Sequence, residues 1–338
     1  MTKINIKQIA AIAGVCQATV SRTLSDPSIV SERTRNKVMK VVDNLGYTPN
    51  RLGASLRSGR SNSVVVTLPD ITNPYFSPII RENERIALSR GYSVLLGDTL
   101  DDPSLSKKFA SMVKTKQADG IITNSQVLPF EFDEKTQDIS HLPPIVSISE
   151  TINIEGIHTV SVDNFEVGKL ATQHLIELGH TDIVAIAGPI HLNTVIERTK
   201  GFKAALKAAN IPFKDNMILH GDYSADSGVE LTSEFLQRKK RPTAIFSFGD
   251  MISIGVLHVL REFDYSVPED ISVISIDGIY LGKYTAPPLT TVAQPMDLIG
   301  KKSMEVLLNL IEDKKPESNK IIVPHELIIR KSTGPVPK

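Results

Sequence analysis

The sequence predicts a small all-α head followed by a larger α/β body with parallel sheets. Within the first 48 residues, apolar side chains recur at helical spacing in three short runs separated by Gly and Pro. From residue 63 onward, short β-rich runs alternate with helical runs, which is typical of parallel sheets covered by helices. The length of 338 residues also suits two or three packed units better than one small domain.

Charge is distributed unevenly along the chain, although the formal net charge is zero. Residues 1–60 contain ten Lys or Arg and three Asp or Glu, so this head carries +7 and the other 278 residues carry −7. A basic head on an acidic body favours contact with a polyanion. Charge alone leaves a solubilising basic surface as the alternative.

Cysteine content and hydropathy indicate where the protein acts. Cys16 is the only cysteine, which excludes an intramolecular disulfide and fits a reducing compartment. The first residues lack the apolar stretch of a secretory signal, and no window approaches the roughly 18 apolar residues of a membrane span. We therefore expect a cytoplasmic protein.

Two short helices joined by a glycine turn outline a helix-turn-helix. Residues 6–13 place Ile and Ala on one helical face, and Gly14 supplies the left-handed conformation that ends a helix. Residues 17–24 form a second helix, which in this motif lies in the DNA major groove. Periodicity alone leaves a plain helical hairpin as the alternative. The outward side chains of the second helix, which could contact base edges or phosphates, are Gln17, Ala18, Ser21 and Arg22.

A third helix and a leucine-containing segment follow. Ser31 is a favourable N-cap for a helix whose apolar stripe runs over residues 38–45. Pro49 prevents this helix from continuing. Residues 50–57 could form two helical turns, but Gly53 weakens such a helix by about 1 kcal/mol. We expect this segment to fold only against a partner.

The body shows the alternation of an α/β fold. Helical runs include 77–90, 165–178, 197–209, 225–238 and 250–263. The predicted strands, enough for two sheets, are Ser63–Leu68, Tyr92–Gly97, Gly120–Thr123, Ile145–Ser149, Thr159–Val162, Ile183–Ala187, Met217–His220, Ala244–Phe248 and Ile271–Ile276. Ligands in such folds bind beyond the carboxyl ends of the strands, so a cleft between two lobes is the expected site.

The head resembles that of the LacI/GalR family of bacterial transcription regulators. The runs that carry the resemblance are residues 9–15 (Ile-Ala-Ala-Ile-Ala-Gly-Val), 18–24 (Ala-Thr-Val-Ser-Arg-Thr-Leu), 30–35 (Val-Ser-Glu-Arg-Thr-Arg) and 46–50 (Gly-Tyr-Thr-Pro-Asn). The resemblance implies that Gln17 and Ala18 read the DNA sequence, with Arg22 also facing bases. Cys16 departs from the family's usual Ser cap at the start of the second helix, which leaves the DNA-binding assignment intact.

The family resemblance also gives the segment behind the third helix a role. In this family the hinge helices of two subunits pair over the minor groove, and a leucine wedges between base pairs, as apolar side chains do in bent minor grooves. Leu56 occupies the position of that leucine, and Asn50 is assigned to DNA contact with it. The resemblance therefore implies a homodimer on double-stranded operator DNA.

The resemblance extends through the body, whose implied fold is like that of periplasmic sugar-binding proteins. It is carried by residues 70–76, 116–120, 162–164, 178–180, 242–246, 267–272 and 288–292. The chain is expected to cross between the lobes near residues 162, 292 and 323. The implied domains are a helix-turn-helix at 1–48, a hinge at 49–61, an N-terminal lobe at 62–162 with 293–322, and a C-terminal lobe at 163–292 with 323–331.

Family positions that contact a small-molecule effector can be located in this sequence. Asp277 and Arg198 could fork onto vicinal hydroxyls while an aromatic ring covers a flat face of the ligand. Taken singly, each residue has a structural alternative: Asp277 could cap a helix, and Tyr223 could belong to the core. The implied effector-contacting residues are Tyr75, Phe76, Asp163, Thr194, Arg198, Tyr223 and Asp277.

The identity of the effector is narrowed by the resemblance. Leu192 stands where purine-binding relatives carry a charged residue, which argues against a purine base. The surrounding sequence is most similar to the cytidine-responsive branch, so a nucleoside such as cytidine is the expected effector. Asn83 and Gly278 depart from that branch, which keeps a pentose or hexose sugar as the alternative.

The sequence therefore predicts a DNA-binding transcriptional repressor whose affinity for its operator is controlled allosterically by a small molecule. A transport-type binding protein is the alternative from another class, but it would carry a signal peptide in place of the basic head. An enzyme is disfavoured because the chain lacks Gly-x-Ser-x-Gly, Walker and Gly-x-Gly-x-x-Gly motifs and metal-type His/Cys spacing. We expect no cofactor.

Overall fold

A computed structural model describes residues 4–47, 59–133, 138–237, 241–314, 316 and 318–337. Contacts within the chain define two compact units, residues 1–61 and residues 62–338. Most of the predicted hinge, including Asn50 and Leu56, lies outside the described residues. Among the described helices, none has the length and apolar character needed to cross a membrane.

The first unit contains three helices around a small core. They are α1 (Ile6–Ala13), α2 (Gln17–Ser25) and α3 (Glu32–Asn44), with a 3₁₀ turn at Pro27–Ile29 between the last two. The core is formed by the apolar faces that the helical spacing predicts, since its fully buried members are Ile9, Ala13, Val20 and Val38, with Val42 nearly so.

The helix ends of the head follow local capping chemistry. The Asn5 side chain accepts from the Gln8 backbone N–H at 3.1 Å, and the Gln8 side chain accepts from the Asn5 N–H at 2.9 Å, a reciprocal capping box. Gly14, with φ of 59°, ends α1 as expected. The cap expected from Ser31 is not formed, because its hydroxyl bonds the Thr34 hydroxyl at 3.0 Å rather than a backbone N–H.

The second unit contains two six-stranded sheets. The first sheet consists of β1 (Ser63–Leu68), β2 (Ser93–Asp98), β3 (Gly120–Thr123), β4 (Ile145–Ile148), β5 (His158–Ser161) and β11 (Lys320–Ile322). The second sheet consists of β6 (Ile183–Ala187), β7 (Ile218–His220), β8 (Ala244–Ser247), β9 (Ser272–Asp277), β10 (Thr290–Ala293) and β12 (Glu326–Ile328). The first sheet is entirely parallel, in the order β11-β5-β4-β3-β1-β2. The second sheet has the order β12-β10-β9-β8-β6-β7 and is parallel except for β12, which runs antiparallel to β10.

Helices cover both sheets, and the chain passes between the sheets after β5, after β10 and after β11. These crossings lie close to the expected positions 162, 292 and 323. The helices of the second unit are α4 (Phe76–Ser89), α5 (Pro103–Lys114), α6 (Asn164–Glu177), α7 (Asn193–Ala208), α8 (Ala225–Leu236), α9 (Asp250–Glu262) and α10 (Met296–Ile311).

The strands expected from the sequence are all present, each with ends within one residue of the prediction. Strands β10, β11 and β12 were not among the strands expected from the sequence. The expected helix at 197–209 starts earlier, at Asn193. Its first turn contains β-branched residues, which local propensity disfavours in helices, but burial of Val195 outweighs that small preference.

Helices α6 and α7 cross at the closest approach that peptide backbones allow. A Cβ on Gly168 would overlap the carbonyl oxygen of Arg198, and a Cβ on Gly201 would overlap that of Phe165. Only glycine leaves room for this crossing. The contact fixes α7 against α6, and α7 carries two of the expected effector-contacting residues, Thr194 and Arg198.

Candidate functional site

The outer face of α2 is the first candidate site. Gln17, Ala18 and Arg22 are exposed and Ser21 is half-buried, while Val20 is fully buried beneath them. The four side chains expected to meet DNA therefore lie on the solvent side of a helix whose opposite side is held by the core. At the start of this helix the Cys16 thiol makes no capping bond and lies 3.1 Å from the Thr19 hydroxyl.

The second candidate site lies where the carboxyl ends of the two parallel sheets meet. The Tyr75 hydroxyl is 3.0 Å from the Ser149 hydroxyl, which follows β4 in the first sheet. The same hydroxyl donates to Oε1 of Gln294 at 3.1 Å, and Nε2 of Gln294 donates to Oδ1 of Asp277 at 2.8 Å. Because Asp277 ends β9, this chain of hydrogen bonds links the strand ends of both sheets.

A second link joins the sheets through Glu150, which is only 6% exposed. Its carboxylate accepts from the Thr194 hydroxyl and, at 3.3 Å, from the Thr194 backbone N–H. The Thr194 hydroxyl is also 3.2 Å from the Tyr223 hydroxyl. Burial raises the pKa of Glu150, and its hydrogen bonds to Thr194 oppose that shift.

At the edge of the site the lobes are held by side-chain to backbone bonds. Gln126 donates to the carbonyl of His191 at 3.0 Å and accepts from the N–H of Asn193 at 3.2 Å. The Asn193 side chain donates to the carbonyl of Thr151 at 2.9 Å. The turn leading into α7 is therefore attached to loops at the strand ends of the first sheet.

Arg198 supplies positive charge in the interior of the site. It is 5% exposed; its Nε donates to Oδ1 of Asn164 at 2.9 Å and its Nη1 to the carbonyl of Phe248 at 2.6 Å. Its charge acts on Asp277 and Glu150, and lowers the pKa of each. Two of the guanidinium's nitrogen atoms are thus already bonded to protein oxygens.

Asp250 and Asp277 form a buried carboxyl pair. Burial raises the pKa of Asp277 to about 7, with Arg198 opposing the shift and the charge of Asp250 adding to it. Burial also raises the pKa of Asp250, opposed by hydrogen bonds that include 2.7 Å from the Ile279 N–H and 3.0 Å from the Thr291 hydroxyl. Ionisation of both carboxyls at once is therefore unfavourable.

Asp277→Asn should stabilise the ligand-free body at pH 7 and above. The raised pKa of Asp277 means that its favourable contribution is complete below its unfolded-state pKa and is lost as pH rises to about 7. Removing the titrating carboxyl should therefore flatten the decline in stability between about pH 4 and pH 7. Urea unfolding at several pH values measures this, with Asp297→Asn, at the first turn of α10, as the control. A parallel pH profile for Asp277→Asn and the wild type would contradict the expectation.

The structure brings Tyr75, Thr194, Arg198, Tyr223 and Asp277 into this one site. Tyr75 and Asp277 join its hydrogen-bond chain, and Thr194 and Tyr223 are neighbours at its second link. Arg198 lies close enough for its charge to act on the other four or their partners. They come from different elements, so their convergence is a property of the fold.

Phe76 and Asp163 are placed differently. Phe76 is 5% exposed and packs edge-on against Tyr75, with ring centroids 5.1 Å apart, so it supports that ring from within the core. Asp163 is exposed and accepts from the Glu166 N–H at 3.0 Å as the N-cap of α6. Its neighbour Asn164 is the residue that bonds Arg198.

Several residues of the site were not expected from the sequence. Each directly follows a strand or lies within three residues of its end, where ligands of parallel sheets bind. That position is the signal that could have identified them. They are Ser149 and Glu150 after β4, Asp250 after β8 and Gln294 after β10.

Comparisons with known proteins identify both parts of the chain. The family model of bacterial regulatory proteins of the lacI family matches residues 5–50, and that of the periplasmic binding protein-like domain matches residues 172–333. The chain is 36% identical to the HTH-type transcriptional repressor CytR of Escherichia coli K12 over 336 residues, which are 99% of this chain and 98% of that protein. It is 34% identical to the repressor PurR of Vibrio parahaemolyticus over 328 residues, 96% of this chain and 97% of that one.

A solved structure shares the fold. The Lac repressor dimer bound to operator and the anti-inducer ONPF superposes with a TM-score of 0.85 at 26% identity, covering 98% of this chain and 100% of that one. The fold expected from the sequence, a helix-turn-helix head with a two-lobed α/β body, is confirmed.

Proposed function

Because the chain belongs to the LacI family of bacterial regulatory proteins, whose members are allosterically controlled DNA-binding regulators, we propose that α2 reads the operator through Gln17, Ala18, Ser21 and Arg22. The observation that carries this proposal is the placement of these side chains on the exposed face of α2. An amide and a guanidinium at such positions can bond adenine and guanine edges, and an alanine can contact a thymine methyl.

Gln17→Ala should relax base preference at one position of each operator half-site, at a cost of about 1–3 kcal/mol of binding free energy. Its amide is exposed at the N-terminal end of α2, the part of a recognition helix that reaches base edges. An oligonucleotide selection followed by anisotropy titration measures both quantities, and two chains should bind each operator. Wild-type affinity should also fall steeply with salt.

Lys40→Ala is the matched control, since it changes an exposed residue of α3 and should leave the base preference unchanged. Retention of the wild-type preference by Gln17→Ala would count against base reading by this residue. Failure of the wild type to select any sequence, with or without candidate effectors, would overturn the regulator assignment itself.

The regulator is proposed to act as a homodimer in the bacterial cytoplasm. One head reads only a half-site, so a symmetric operator calls for two copies. β2 is an edge strand of the first sheet, and large apolar side chains are exposed on it and at the end of the neighbouring α4: Leu88 is 63% exposed, Leu95 37% and Leu96 43%. The Lac repressor, which shares this fold, is a dimer on its operator.

A nucleoside such as cytidine is the proposed effector, with a pentose or hexose as the alternative. Tyr75 and Tyr223 provide aromatic rings, and Asp277, Arg198 and Thr194 provide the polar groups that bind hydroxyls. The ligand would change how the two lobes close on each other and so the spacing of the two hinge segments that contain Asn50 and Leu56. A coupling of about 1–3 kcal/mol would change operator affinity about 5–150-fold.

A transport-type binding protein would share the fold of the body but would not need the exposed face of α2. A thermal-shift series with nucleosides and sugars, followed by operator titration with each compound that binds, tests the effector proposal.

A further inference from the structure

Building on the effector site proposed above, we propose that it accepts an uncharged, hydroxyl-rich molecule and rejects the phosphorylated form of that molecule, with Glu150 as a residue that sets this preference. The proposal rests on the balance of charge and of hydrogen-bond donors and acceptors at the meeting point of the two sheets.

The described interior of the site contains more acid than base. Glu150 is only 6% exposed, Asp250 is fully buried and Asp277 is half-buried. All three lie at the end of a strand or within three residues of it. The cation whose charge acts on Asp277 and Glu150 is Arg198. A bound phosphate would add negative charge to a region where burial already disfavours carboxylate ionisation.

Several of the donors that could bind a phosphate are already bonded to protein oxygens. Phosphate is bound by guanidinium forks, ammonium groups or backbone N–H groups. The guanidinium of Arg198 is bonded through Nε to Asn164 and through Nη1 to the carbonyl of Phe248. The backbone N–H of Thr194, in the first turn of α7, bonds Glu150 at 3.3 Å. The carboxylate of Glu150 thus occupies a helix N-terminus that could otherwise attract an anion.

Glu150 is placed to distinguish a neutral ligand from a phosphorylated one because the side chains around it contact one another through hydroxyl groups. The Thr194 hydroxyl donates to Glu150 and also lies beside the Tyr223 hydroxyl. A ligand hydroxyl could therefore take the place of the Thr194 hydroxyl as a donor to the Glu150 carboxylate. An ionised carboxylate only accepts hydrogen bonds, whereas sugar and nucleoside hydroxyls can donate them. A phosphate dianion has no proton to donate and would face the carboxylate as a like charge.

The test compares matched ligand pairs that differ only by a phosphate. Cytidine and cytidine monophosphate, ribose and ribose 5-phosphate, and glucose and glucose 6-phosphate are titrated calorimetrically into the full chain. We expect the neutral member of the pair that binds to have at least about tenfold higher affinity, and Glu150→Gln to reduce that ratio. Glu155→Gln is the matched control, since it removes an exposed carboxylate from the same lobe and should leave the ratio unchanged.

A phosphorylated compound that binds as tightly as its neutral partner, or more tightly, would overturn the proposal. So would the absence of binding by all three neutral compounds. An unchanged ratio of the two affinities in Glu150→Gln would show that Glu150 does not set the preference. Operator binding by the same preparation is measured in parallel, so that loss of the ligand inference is distinguished from loss of the regulator function.

Discussion

Gly201→Val should destabilise the body by about 3 kcal/mol or more, at the upper end of the range for overpacked cores. A side chain at Gly201 would overlap the carbonyl oxygen of Phe165 and lie 2.6 Å from the backbone nitrogen of Lys169. Both are backbone atoms of α6, so no side-chain rotation can relieve the overlap. Helix α7 would have to move away from α6, which would also displace Thr194 and Arg198.

Urea unfolding followed by circular dichroism measures this loss. Ala208→Val is the matched control, since it puts the same β-branched side chain on an exposed position of the same helix. A free energy of unfolding for Gly201→Val within about 1 kcal/mol of the Ala208→Val value would show that the two helices can separate without consequence.

Arg198→Ala should abolish the response to the effector and destabilise the body by about 1–3 kcal/mol for each hydrogen-bond partner that it leaves unsatisfied in the interior. The substitution leaves Asn164 and the Phe248 carbonyl without the donors that now reach them from Arg198. It also leaves the charges of Asp277 and Glu150 without the cation that now acts on them. The head is a separate compact unit, so operator binding should persist.

Operator titration with and without effector separates loss of the effector response from a general loss of DNA binding. Lys200→Ala is the matched control, because Lys200 lies two residues away on α7 and pairs at the surface with Glu197 at 2.7 Å, a contact worth at most about 1 kcal/mol. Arg198→Lys keeps the charge but not the two bonding directions, so we expect an intermediate effector affinity. Normal effector control in Arg198→Ala would exclude this residue from the site.

Local signals in the sequence were sufficient to predict the head and most strands. Gly14 ends α1 because a left-handed residue is needed there, and Val20 lies in the core because helical spacing places it opposite Ala18 and Arg22. Buried strands such as β1 and β6 are apolar runs that lie between helical runs, so their existence and their ends could be predicted.

The roles of individual residues in the site were harder to predict. Family resemblance placed Tyr75, Arg198 and Asp277 at the effector site, and the fold brings them together. It also named Asp163, which serves in the structure as the N-cap of α6, a role that its exposed position before a helix makes favourable.

The sequence by itself determined the order of elements, the three-helix head and the parallel-sheet body, since each depends on the spacing of residues close together in the chain. Only the tertiary structure decided that Glu150 bonds Thr194 and that Gln294 connects Tyr75 with Asp277. Those partners are 44, 219 and 17 residues apart, respectively. They meet because two sheets place their strand ends opposite each other, and no local pattern in the chain encodes which strand end faces which.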